Sequence, residues 1–341
     1  MRLRTMLMTL AALGLLATPR PASAKPRVTM KIATLAPEGS TWMNLMHELD
    51  DRVREDTGEE AGFRFYPGGV QGDEKLVLRK MRSGQLHGGG FTGNGLGVIA
   101  PELRVLEAPF LFTDEGELDA VHDAFDEEFS ALVESRGYVL LGWAEVGFVH
   151  VFTREPVRRL ADFRDVRMWL WEGDPLPELF FREAGITPVP LPITDVYTSL
   201  QTGLIDGVYC SPYACVVLQW HTRVGAMSAT PISHAIGAVV VTRKQFEKIS
   251  AESREKIRGI ASDIFTRLKS ASRDENRRAV EDIRAAGITV VQADEDAVEE
   301  FLAIGARSAD LGTASLFPAE LLGRVRARIL AHREAASAPE E

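Results

Sequence analysis

Gly88-Gly89-Gly90-Phe91-Thr92-Gly93 satisfies G-x-G-x-x-G, the spacing of a loop that cradles a dinucleotide pyrophosphate. That chemistry needs a strand before the glycines and a helix opening directly after them, so that helix amides meet the phosphate. Here a helical pattern precedes the glycines, and Gly95, Gly97 and Pro101 disfavour a long helix after them. The residues therefore argue against a nucleotide. The seven histidines, His47, His87, His122, His150, His221, His234 and His332, show no H-x-x-x-H or other metal-ligand spacing. Beyond the leader there is no G-x-S-x-G element and no cysteine–histidine pattern, and acids such as Asp126-Glu127-Glu128 fit exposed helix faces. The chain asks for neither catalysis, cofactor nor metal.

The elements that must position any site alternate between strand and helix. Val28 to Leu35 is a β-type run, followed by a loop with Ser40 as N-cap candidate. Thr41 to Asp56 carries Trp42, Leu45, Met46, Leu49 and Val53 at helical spacing. Phe63 to Tyr66 is a short strand closed by Pro67-Gly68-Gly69, and Asp73 to Ser83 is helical. Tyr138 to Thr153 reads as one long strand or two strands sharing a path. Pro188 to Pro192 is strand, Asp195 to Thr202 helix, and Ala235 to Thr242 a strand apolar enough to be buried on both faces. Ser250 to Ala286 is one long helical stretch capped by Ser250, with Ile257, Ile260, Ile264 and Leu268 on one face. Strand, loop and helix repeated in this way predict an α/β fold with mostly parallel sheets.

Composition sets the compartment and excludes some partners. Arg2 and Arg4 precede an apolar run from Met6 to Leu16, and Ala22-Ser23-Ala24 offers a cleavage site, so residues 1–24 read as a signal peptide. The run is shorter than the ~20 residues that span a bilayer. Export to the periplasm as a soluble chain is expected. Removing Arg2, Arg4 and Arg20 with the leader takes the formal charge from −10 to −13, which disfavours nucleic acid and anionic lipid as partners. Cys210 and Cys215, the two cysteines, are read as buried free thiols. The tail, residues 335–341, reads as disordered.

Several segments carry a resemblance. Gly185, Pro188, Pro190, Asp195, Val196, Tyr197, Leu200, Gln201, Asp206 and Gly207 stand in the order G-x-x-P-x-P-x-x-x-x-[DE]-V-Y-x-x-L-Q-x-x-x-x-D-G. Ala33-Thr34-Leu35-Ala36-Pro37-Glu38-Gly39-Ser40, Tyr66-Pro67-Gly68-Gly69 with Gln71-Gly72-Asp73-Glu74, and Pro101-Glu102-Leu103 through Ala108-Pro109-Phe110-Leu111-Phe112 precede it in order. Together, from Val28 to Ile288, the chain resembles the solute-binding proteins of TRAP transporters, the DctP family. The resemblance implies a periplasmic-binding-protein-like α/β fold of two lobes with a hinge, and a long helix bridging them. It places a first lobe at 25–148 with a return at 232–249, a second at 149–231, and helices packing on both at 250–334. It further implies no enzyme activity, a monomeric receptor, and the integral membrane subunits of a TRAP system as partners.

The same resemblance locates a cleft and shows departures within it. Trp143, Phe148, Trp169, Trp171, Tyr209, Tyr213 and Trp220 fall in segments that line the family's second lobe or hinge. Trp169 stands about where most members carry the arginine that holds a ligand carboxylate. Val146-Gly147-Phe148-Val149 replaces N-G-x-R, and Cys210-Ser211-Pro212 replaces the Asn-Pro after D-G. A buried carboxylate needs charge-assisted hydrogen bonds, whereas tryptophan offers one indole donor and a large apolar face. The expected ligand is therefore neutral, apolar or amphipathic, or a cation stacked on the rings beside Glu38 or Glu172. Expected contacts are Phe148 at the hinge, Trp169, Trp171, Tyr209 and Ser211 on the second lobe, and Glu38, Gln71, Thr92 and Asn94 on the first. Two other readings stay open: an organic-acid receptor that uses Arg167 or Arg154, and a carrier handing a lipid-like ligand to another soluble protein.

Overall fold

Short polar side chains start most of the helices, and the strands between them build two sheets that share one strand. The computed structural model describes residues 25–337; the expected leader at 1–24 and the last residues, 338–341, lie outside the described residues. The first half runs β1 (Val28–Ala33), α1 (Thr41–Asp56), β2 (Ala61–Tyr66), α2 (Glu74–Arg82), β3 (Gly88–Thr92), α3 (Gly93–Ile99), α4 (Glu115–Ser135) and β4 (Tyr138–Thr153). Then come β5 (Trp169–Trp171), α5 (Pro175–Glu183), β6 (Val189–Leu191), α6 (Val196–Thr202), β7 (Gly207–Cys210), α7 (Pro212–Val217), β8 (Ala226–Ser228) and β9 (Ser233–Thr242). The chain ends with α8 (Arg243–Phe246), α9 (Ala251–Ala285), β10 (Thr289–Val291), α10 (Glu295–Gly312) and α11 (Ala319–Ser337). Ser40, Asp73, Thr92, Asp174, Ser211 and Ser250 each accept a hydrogen bond from a backbone N–H of the helix they precede, satisfying an otherwise orphaned donor.

The first lobe is a sheet in the order β2-β1-β3-β9-β4, with β1 parallel to β2 and β3, and β9 antiparallel to both its neighbours. The far half of β4 leaves β9 and pairs with β7 and β8, and β8 pairs with β10. β5 and β6 form a parallel pair joined to β7 through a bridge between Met168 and Gly207. The 35-residue α9, roughly 50 Å long at 1.5 Å per residue, packs on α1 in the first lobe, on α7 in the second and along β4 between them. Its apolar face, Ile257, Ile260, Ile264 and Leu268, is buried as its spacing predicts.

Four expectations change in detail. The first strand stops at Ala33 rather than Leu35, and the chain's last helix runs on to Ser337, so 335–337 are helical. A helix does open after Phe91-Thr92, but it has seven residues. The glycines before it lie inside β3 rather than in a phosphate loop, where a Cβ on Gly88 would come within 2.6 Å of the Val240 carbonyl. The amides of Thr92 and Gly95 are already taken by the Glu74 carboxyl, at 2.7 Å each, which leaves no place for a phosphate. Both cysteines are free thiols, Cys215 buried and Cys210 only half-buried.

β4 changes partners across two register shifts, at Leu140/Gly142 and Glu145/Gly147. Gly147 sits at φ +114°, and the space its Cβ would take is filled by the Asn276 amide of α9 at 2.5 Å. That amide donates to the Val146 carbonyl at 3.0 Å and accepts from the Tyr213 N–H at 3.0 Å, tying β4, α9 and α7 together. Gly147→Ala is therefore expected to cost about 1–3 kcal/mol through backbone strain and displacement of Asn276. Urea denaturation checks this, and an unchanged midpoint would contradict it.

Candidate ligand-binding site

A three-residue strand builds the aromatic wall. Alternation along β5 puts Trp169 and Trp171 on one face and Leu170 on the other. Trp169 is 1% exposed; its indole N–H donates to the Leu191 carbonyl at 2.9 Å, and its ring stacks on Tyr209 with centroids 5.0 Å apart. Trp220 meets it edge-on at 5.4 Å and Trp171 lies 5.7 Å away. The Tyr209 hydroxyl accepts from the Trp171 N–H at 3.1 Å, and burial pushes the phenol far above its usual range. These rings border a cavity of about 350 Å³ between the lobes, within the size range of small-molecule sites.

The polar end of the cavity comes from residues that look unremarkable in sequence. Arg104, 4% exposed, places one guanidinium nitrogen 2.9 and 3.1 Å from the two carboxylate oxygens of Asp174 and another 2.8 Å from Glu107. Burial works against its charge, but Asp174 and Glu107 hold it protonated. Burial pushes Glu107 up to about 7, with Arg104 opposing, and pushes Glu74 up to about 8. Two donors here lack partners: Arg104 Nε and Nδ2 of Asn94, which is 5% exposed. Both residues line the cavity through other atoms, and with Thr92, Glu74, Glu107 and Asp174 they make this its polar end.

Three sets of polar contacts join the lobes over this space. The Trp171 indole N–H donates to Asp73 Oδ2 at 2.9 Å, and Lys75 Nζ donates to the Glu172 and Gly173 carbonyls at 2.7 and 2.9 Å. The Arg104–Asp174 pair is the third.

A model of the bacterial extracellular solute-binding proteins of family 7, DctP, matches residues 32–309. The chain belongs to this family. It is 22% identical over 246 residues to the 2,3-diketo-L-gulonate-binding periplasmic protein of Escherichia coli, covering 72% of this chain and 75% of that one. The ectoine-binding periplasmic protein of Halomonas elongata is 24% identical over 256 residues, covering 70% and 71%. Among solved structures, the sugar-acid-binding protein of Advenella mimigardefordensis in complex with galactonate superposes with a TM-score of 0.83 at 18% identity, covering 90% of this chain and 99% of that one. A TRAP periplasmic solute-binding protein of Xanthobacter autotrophicus with bound β-D-galacturonate gives 0.81 at 20%, covering 87% and 99%. As a DctP protein, the chain is a periplasmic solute receptor of the TRAP type and not an enzyme. Among the described residues no helix is long and apolar enough to cross a membrane, and no group of three His, Cys, Asp or Glu is gathered as a metal site.

Within this DctP receptor, Thr92, Asn94, Trp169, Trp171, Tyr209 and Ser211 border the cavity. Ser211 is fully buried and spends its hydroxyl capping α7. Glu38, Gln71 and Phe148 do not line it, contrary to the reading from sequence. Glu38 pairs with His47 at 2.8 Å on the surface, and the Gln71 side chain accepts from Lys80 at 2.9 Å. The register shift at Gly147 turns Phe148 toward His234, 5.1 Å away, within the first lobe. Glu172 does not line the cavity, and its carbonyl accepts from Lys75. Arg167, expected to share the face of Trp169, precedes β5 and grips Asp206 at 2.6 and 2.8 Å on the surface. Arg154 is held by Asp206 at 3.3 Å and by the Leu200 carbonyl, so neither arginine reaches the cavity. The residues that sequence reasoning missed are Arg104, Glu107 and Asp174. Their one signal was Arg104 and Glu107 three apart among Leu103, Val105, Leu106 and Ala108, where charge is out of place.

The buried carboxyls set a pH dependence. Glu107 and Glu74 ionise more readily unfolded than folded, so between the usual carboxylate range and pH 7–8 the folded state holds more protons and stability falls as pH rises. His122, held at about 4, and His234, held at about 3, act oppositely, but only below their unfolded range near 6.5. The lowered His87 and His150 share that sign and window. Urea midpoints should therefore decline from pH 6.5 to 8, and a flat or rising profile there would contradict the assignment.

Proposed function

We propose that this receptor holds a neutral, amphipathic small molecule in the interlobe cavity and presents the closed form to the integral subunits of a TRAP transporter, acting as a monomer. The observation that carries the reading is Arg104. Among the described residues it is the only basic side chain on the cavity wall, and Asp174 and Glu107 already engage it. A ligand carboxylate would be a third acid competing for Arg104, whereas a carbonyl or hydroxyl oxygen can sit at this polar end without adding charge. Trp169, Trp171 and Tyr209 supply the apolar wall, and Thr92 and Asn94 its polar margin. Lobe I would comprise 25–148 and 232–249, lobe II 149–231, and the segment 250–334 would span both. Closure would turn on β4 and β9, with ligand contacts on both lobes stabilising the closed state by their differential affinity.

A second reading draws on the relatives, several of which carry acids in their names or bound states. It makes Arg104, rather than Arg167 or Arg154, the carboxylate holder, with Glu107 protonated to release it. Native mass spectrometry of the protein taken from the periplasm of its host separates the two. The expected occupant is neutral and amphipathic, and a dicarboxylate or sugar acid retained there would overturn the first reading. Removing two of the cross-lobe contacts, in Trp171→Phe with Lys75→Met, should weaken the retained ligand's affinity about tenfold or more and raise the radius of gyration in solution scattering. Unchanged values of both would contradict closure through these contacts.

A further inference from the structure

The cavity does not end at the aromatic wall. Phe163, Phe181, Ile186, Val298, Phe301 and Leu302 line the same continuous space as Trp169 and Arg104, yet they belong to the other side of the second lobe. Phe163 and Phe181 join Met168 and Leu170, with Ile186 and Phe301 packed against them, in the smallest of the apolar clusters. Most of that cluster faces the cavity, so what reads as a core is partly hollow. Its roof is α10, which lies against α5 and contributes Val298, Phe301 and Leu302. Leu302 is 46% exposed, marking where the space approaches solvent. Protein interiors pack densely, and an apolar void of this kind stays dry and takes up apolar matter.

We propose that this chamber beneath α10 houses the hydrocarbon chain of the ligand, whose oxygen-bearing head sits at Arg104 and Asn94. The inference rests on the receptor reading above and adds the ligand's shape to it. One end of the cavity is lined by Arg104, Asn94, Thr92, Glu107 and Asp174, and the other offers phenyl, isoleucyl and leucyl surface with no charged side chain. A compact polyol would leave the apolar end empty and bury its hydroxyls against phenyl rings. A straight chain with one polar terminus satisfies both ends.

Calorimetric titration of the mature chain with butanamide, hexanamide, octanamide and decanamide tests this, with butanoate and octanoate in parallel. Affinity should rise about fourfold per added methylene until the chamber is full and then level off. Val298→Trp, which fills the chamber from α10, should remove the gain for octanamide and leave butanamide unchanged. Ala293→Phe, on the half-buried approach to α10, serves as the second filling variant should the first unfold. Affinity independent of chain length, or a gain that survives both variants, would overturn the chamber while leaving the receptor reading intact. Octanoate binding more than about tenfold tighter than octanamide would overturn the neutral head instead, with the chain-length slope still deciding the chamber. No binding by either eight-carbon compound overturns the chamber as proposed.

Discussion

One guanidinium buried between two lobes constrains most of what surrounds it. Taking a charge out of water costs several kcal/mol unless partners compensate, so Arg104 needs acids within hydrogen-bond reach. Its own segment supplies Glu107 and the opposite lobe supplies Asp174. That choice makes the pair across the cleft as much a closure contact as a local satisfaction. It also fixes the electrostatic character of the cavity, because Asp174 and Glu107 answer the cation before any ligand arrives. Asp174 has a further duty as N-cap of α5, accepting from Leu176 N–H at 3.3 Å. The helix that walls the apolar chamber is thereby anchored to the polar end of the site.

The mechanical frame is equally economical. A single strand, β4, belongs to both sheets, and its bulges lie where α9 crosses it. Gly142 leaves room for Phe265 and Gly147 for Asn276, so the helix sits closer to the strand there than any side chain would permit. Arg273, one turn before Asn276 on α9, reaches Asp119 of α4 and Glu145 of β4 at 2.7 and 2.5 Å. Each lobe is thus referenced to the same long helix, while the connection between them narrows to β4 and β9.

How much of this was legible in the sequence divides by physical cause. α1 and β4 fall where periodicity places them, and Ser250 caps α9 as its residue type suggests, because local spacing and capping decide such elements. The family motifs carried the lobed fold. That Trp169 and Trp171 share one face was also legible, since they alternate on one strand. Arg104 was not, because its burial depends on Asp174, seventy residues on, and no local pattern encodes that meeting. Phe148 was misread for a related reason: a register shift inverts the face of everything after it, and only the paired strand reveals the shift. Arg167 lay two residues before the strand whose alternation was assumed for it.

Trp171, Tyr209 and Trp220 each lie within 6 Å of the Trp169 ring, and hydrogen bonds to backbone groups hold Trp169 and Tyr209 in place. Chromophores this close and this rigid share their electronic transitions, and near-ultraviolet dichroism reports such packing. One member, Trp171, is also bonded to the opposite lobe through Asp73. The molecule therefore contains an intrinsic optical gauge wired to the gap between its lobes, and the state of that gap can be read from unlabelled protein.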